Sequence, residues 1–80
     1  MNRKYRPTKS VKFDVFGRAI LVVETASGWA TFYLGAEGKR RSATDIVVPP
    51  DILESDIEQY LSDLCHEWAT DRNPNVKRID

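Results

Sequence analysis

The side chains able to do chemistry are few in this sequence, and their spacing does not bring them together. His66 is the single histidine and Cys65 the single cysteine. Adjacent on a helix, they splay about 100° apart, which argues against a thiolate–imidazole pair. Asp63, His66 and Glu67 stand at i, i+3 and i+4 and could touch one metal ion, but three exposed groups on one helix more commonly form a solvated face. One Cys and one His cannot complete a structural zinc site, and a lone cysteine closes no intrachain disulfide. Gly35-Ala36-Glu37-Gly38-Lys39 echoes a phosphate loop, yet Tyr33 replaces its first glycine and Arg40 its final Ser/Thr. The residues therefore imply no enzyme: no catalytic residue, no cofactor, no metal and no small-molecule substrate.

Binding is the chemistry that remains. Lys39, Arg40 and Arg41 leave a glycine turn and could hold an anion, the plainer reading being a solvated turn. Together with Arg18 they are candidate contacts for an anion or a nucleic acid. Aromatic side chains beside them would make a stacking platform for RNA or single-stranded DNA.

The elements that must position these groups follow from periodicity. Val11, Phe13 and Val15 alternate with Lys12, Asp14 and Phe16, a half-buried strand. Gly17 is a tight turn or a bulge. A second strand covers about Arg18 to Glu24, Thr25 to Gly28 form a turn, and Trp29 to Leu34 form a third strand. A short fourth is expected over about Arg40 to Ala43, before Pro49-Pro50 ends strand pairing. Leu53, Ile57, Tyr60, Leu61, Leu64, Cys65 and Trp68 share one helical stripe. Ser55 with Glu58 supplies a capping box, so the helix is expected over about 55–70. The predicted fold is α+β: an antiparallel β-meander of three to four strands with one C-terminal amphipathic helix packed on one face.

Strands two and three are apolar on both sides, as in a sheet covered twice. A single helix covers one side only. Assigning Val11, Phe13, Val15, Leu21, Val23, Phe32 and Leu34 to the helix leaves Phe16, Ile20, Val22, Trp29 and Tyr33 as an open, interface-forming face. The alternative is that the tail or the segment Ile46 to Ile52 folds over that second face. Register is decisive, since a slip of one residue exchanges the two faces.

The chain has 80 residues, 41% hydrophobic and 30% charged, and twelve Lys+Arg balance twelve Asp+Glu. That is one small domain, 11–80, preceded by a basic flexible tail, 1–10. Cores of this size bury little surface, so any added support must come from another chain. The zero net charge conceals a division. Residues 1–50 carry nine basic against four acidic groups, residues 51–71 seven acidic and no basic, and residues 72–80 three basic and one acidic. The acidic helix face is a solvated surface or a docking site for a basic partner. With no apolar run of membrane-spanning length and no signal-peptide core, a cytoplasmic protein without membrane association is expected.

Lys12-Phe13-Asp14-Val15-Phe16-Gly17-Arg18, then Phe32 to Arg41, Val48-Pro49-Pro50-Asp51 and His66-Glu67-Trp68-Ala69 resemble a family of short, uncharacterised bacterial proteins, over about residues 11–78. The resemblance implies a small stand-alone bacterial protein and brings no activity, cofactor or site residue with it. The leading expectation is thus a small non-enzymatic interaction or accessory protein, self-associating through an aromatic sheet face or binding another protein. The alternative is RNA or single-stranded DNA binding by the aromatic and basic face with the N-terminal tail.

Overall fold

In the computed structural model, which describes residues 9–35 and 39–79, five antiparallel strands form one sheet. They are β1 (Ser10–Val15), β2 (Arg18–Thr25), β3 (Gly28–Leu34), β4 (Arg40–Ser42) and β5 (Val76–Arg78), ordered β4-β3-β2-β1-β5. A helix, α1 (Ile57–Leu64), stands between two 3₁₀ turns, Glu54–Asp56 and His66–Trp68. The α+β expectation holds, with five strands in place of three to four. β5 escapes periodicity because three residues are too few to show alternation; it forms on the edge that β1 presents. Of the expected tail, residues 1–8 lie outside the described residues. Lys9 and Ser10 belong to the fold, since Ser10 opens β1 and the Lys9 carbonyl accepts the Glu24 amide at 2.8 Å.

The β1–β2 turn contains two residues only, Phe16 and Gly17, both at positive φ (51° and 91°). This is the mirror-image turn that matches the twist of a hairpin. Asp14 Oδ1 accepts the Gly17 amide at 2.7 Å, and Phe16, at 6% exposure, is held in its uncommon backbone conformation by burial of its ring. A two-residue turn sets Val15 opposite Arg18, Phe13 opposite Ile20 and Val11 opposite Val22. Ile20 and Val22 therefore share a face with Val11, Phe13 and Val15, and all five are fully buried. This corrects the assignment made from periodicity, which placed Leu21 and Val23 in the core. The β2–β3 ladder keeps Leu21 and Val23 on one face with Phe32 and Leu34, as expected, with Leu21 opposite Phe32 and Ile20 opposite Tyr33.

One face carries the whole core because two elements share the task of covering it. Ile57, Leu61 and Cys65, at i, i+4 and i+8, press α1 over β1 and β5. The segment 43–52 is fastened to β3, burying Ala43, Ile46 and Val48. It includes Ile46 to Ile52, the segment expected as one alternative to an open face. The α-helix is shorter than the expected 55–70. Asp56 is its N-cap and makes no side-chain cap bond, because Ser55 lies inside the preceding 3₁₀ turn and the capping box does not form. Leu53 and Leu64, placed on the buried stripe from spacing, are 66% and 45% exposed.

Candidate functional site

β3 presents Trp29, Thr31 and Tyr33 to the covered face, and each fastens the segment above it. Trp29 Nε1 donates to the Ile52 carbonyl at 2.9 Å. The Thr31 hydroxyl donates toward the carbonyls of Ile46 (2.6 Å) and Ala43 (3.0 Å). Tyr33 donates to the Asp45 carboxylate at 2.8 Å, and Tyr60 reaches the Val47 carbonyl at 2.6 Å. Burial, followed by the bond to Asp45, raises the Tyr33 phenol above its ordinary value. Of the five predicted interface residues, Phe16, Ile20 and Val22 are buried in the core, while Trp29 and Tyr33 are half-buried against the segment 43–52. The aromatic face is therefore closed by the chain itself, for the reason the β1–β2 turn supplies.

The basic candidates gather at the β4 end of the sheet. The Arg18 guanidinium lies 4.1 Å over the Trp68 ring, and Trp68 packs against Tyr33 at 6.4 Å between centroids. Arg41 lies 5.2 Å over the Tyr33 ring. Arg18, Arg41, Ser42 and Thr44 line a shallow cleft with Asp45 in its wall. Arg40 points to the opposite face of the sheet, 4.3 Å over the Phe32 ring, and exposed Lys39 lies at the strand's start. The four predicted basic residues are thus split between two faces.

That opposite face is the open one. Ala19, Leu21 and Val23 of β2 lie beside Ala30, Phe32 and Leu34 of β3, all half-buried. Lys12 and Asp14 of β1 border this apolar block on one side, and Arg40 and Ser42 of β4 on the other. α1 and the segment 43–52 pack against the other face. The signal in the sequence was already the apolar character of Leu21, Val23, Phe32 and Leu34; the hairpin register decides that they face outward.

Groups weighed for catalysis do not converge. His66 is exposed, its Nδ1 3.4 Å from the Asp63 carbonyl, whereas Cys65 is buried. Burial, with Asp45 nearby, pushes the Cys65 thiol above its ordinary value. Among the described residues no three His, Cys, Asp or Glu are placed to hold a metal ion, and no helix is long and apolar enough to cross a membrane. Glu54 receives Lys9 Nζ at 2.8 Å and Arg78 at 3.1 Å, tying the 3₁₀ turn to the start of β1 and the end of β5.

The chain belongs to the family described as domain of unknown function DUF7661, which it matches over residues 10–80. No curated protein and no solved structure matches it.

Proposed function

We propose that this is a small, non-enzymatic interaction protein that self-associates through the open sheet face. The observation behind this reading is the block of six half-buried apolar side chains, Ala19, Leu21, Val23, Ala30, Phe32 and Leu34, on the side opposite the one that α1 and the segment 43–52 cover. A contiguous apolar patch on a sheet marks a contact surface, and packing it against a like sheet makes a two-layer sandwich. The charged edge strands limit pairing at the sheet edges, so face-to-face contact is the favoured mode. Sedimentation equilibrium over a hundredfold dilution tests this. A species of twice 9.2 kDa is expected, reduced to 9.2 kDa by Leu21→Asp with an unchanged circular dichroism spectrum. A wild-type monomer throughout would reject the reading.

A second reading has its own observation. Arg18, Arg40 and Arg41 each lie on an aromatic ring, which holds their guanidinium planes in place at one end of the molecule. RNA or single-stranded DNA is the polyanion such groups suit. Titration with a labelled oligonucleotide at low salt would show binding that weakens steeply with added salt. An unchanged signal at high micromolar protein would remove it.

A further inference from the structure

The ladders place the open-face side chains in cross-strand rows. One row reads Arg40, Leu34, Ala19, Asp14 and Lys77 from β4 to β5; Ala19 stands opposite Leu34 by continuation of the β2–β3 register. The next reads Ser42, Phe32, Leu21 and Lys12, and a third reads Ala30, Val23 and Ser10. In the first row a cation on β4 and an anion on β1 flank two apolar residues at equal strand distances from the line between β2 and β3. Such a row is complementary to its own mirror order.

Resting on the self-association reading, we propose that the occupant of the open face is a second copy of this chain, related by a two-fold axis that runs along the strands between β2 and β3. Rotation about that line lays β3 on the partner's β2 and β4 on the partner's β1. Arg40 then meets the partner's Asp14, Leu34 the partner's Ala19, Phe32 the partner's Leu21 and Ala30 the partner's Val23, each contact occurring twice. Because twisted sheets pack at about −30°, the axis tilts about 15° from the strands, an offset that an arginine side chain spans. A two-fold axis across the strands would instead lay β4 on β4 and β1 on β1. Arg40 would then meet no carboxylate, since β4 carries only Arg40 and Ser42 on this face, and Asp14 could face only the partner's Lys12.

Both charged groups are placed for the exchange. Asp14 uses Oδ1 for the Gly17 amide, which leaves Oδ2 for a guanidinium. Arg40 lies over the Phe32 ring in the single chain and shields it. On association the guanidinium moves to the partner's Asp14, and the uncovered ring packs on the partner's Leu21. The apolar block supplies the attraction, while the two ion pairs select this orientation.

The test is a charge exchange read by sedimentation. Arg40→Asp alone sets two carboxylates against each other at both ends of the interface, and Asp14→Lys alone sets two cations. Each is expected to weaken the dimer at least about tenfold. Mixed in equal amounts, they form a heterodimer in which both pairs attract, and its dissociation constant returns to within a few-fold of the wild type. Asp14→Asn, which keeps Oδ1 for Gly17, guards against loss of the turn. In a cycle with Arg40→Gln, the double variant should dimerise no more weakly than the worse single one. A wild-type dimer with no recovery in the mixture and additive singles would overturn the two-fold arrangement and leave self-association standing. A wild-type monomer would overturn both.

Discussion

Val15 stands directly opposite Arg18 in the β1–β2 ladder, and the sidedness of the whole sheet follows from that pairing. With a two-residue turn between them, the odd-numbered apolar residues of β1 fall on the face of the even-numbered ones of β2. Ile20 and Val22 are drawn into the core, and Leu21 and Val23 are turned outward. An added residue in the turn would reverse both.

The turn itself is sensitive to substitution. Gly17 has φ of +91°, and a Cβ there would lie 2.8 Å from the Asn73 side-chain amide. Gly17→Ala is expected to cost about 1–2 kcal/mol, read as a lower midpoint in chemical denaturation. A midpoint equal to the wild type would mean that the hairpin tolerates another turn.

Thr31 holds the covering segment from below. Thr31→Val keeps the shape and removes the one hydroxyl near the Ile46 and Ala43 carbonyls, at a buried site. The expected loss is about 1–3 kcal/mol in denaturant, because buried acceptors are left without that donor. Thr31→Ser, which keeps the donor, should lose less.

Trp29 and Phe32 lie on opposite faces of β3 and should separate stability from association. Trp29→Phe removes the bond to the Ile52 carbonyl and is expected to lower stability by about 1 kcal/mol while leaving the solution mass unchanged. Phe32→Ser should shift the mass toward the monomer and leave the denaturation midpoint close to that of the isolated subunit. The reverse pattern would show that the covered face makes the contact.

Protonation of Glu54 should be felt at acid pH. The hydrogen bond from Lys9, with the charges of Lys9 and Arg78, holds its carboxyl below the ordinary 4.5 despite some desolvation. A carboxyl lowered in the folded state stabilises above its ordinary value, and the contribution disappears as pH falls through the lower folded value. Lys9 is raised above 10.5, chiefly by the same bond, so its share is present below that value and lost as pH rises through the folded one. Carboxyl-detected NMR should place the Glu54 midpoint under 4.5, and Lys9→Met should move it back toward that value.

Cys65 is 4% exposed, and its thiol is raised by burial. The native protein should therefore react with a disulfide reagent at pH 8 far more slowly than free cysteine does, with full reactivity appearing in denaturant. Fast labelling of the folded chain would mean that the 3₁₀ turn His66–Trp68 opens readily.

Much of this fold is legible in the amino acids because local chemistry settles it. Alternation marks β1, the paired β2 and β3 follow from apolar runs around Thr25 to Gly28, and Pro49-Pro50 closes the strand region. Ile57, Leu61 and Cys65 announce a helix by spacing alone. Spacing alone also argues against a Cys65–His66 pair, since adjacent residues of a helix splay about 100° apart.

Other features exist only once distant segments meet. Which face of β2 is buried depends on whether Phe16–Gly17 is a turn or a bulge, and both are compatible with the same glycine. Ser55 and Glu58 have the spacing of a capping box, yet the ion pairs of Glu54 with Lys9 and Arg78 accompany a 3₁₀ turn that begins one residue earlier. β5 is too short to show a period and forms against the edge of β1. The open face is a tertiary outcome in the same sense. Sequence shows that β2 and β3 are apolar on both sides, and the β1–β2 register, with α1 and segment 43–52 packed on the face it shares with β1's apolar residues, determines that Leu21, Val23, Phe32 and Leu34 are the side left outward. Periodicity records that a residue alternates, whereas burial depends on what lies above it, and that is decided by residues far away in the chain.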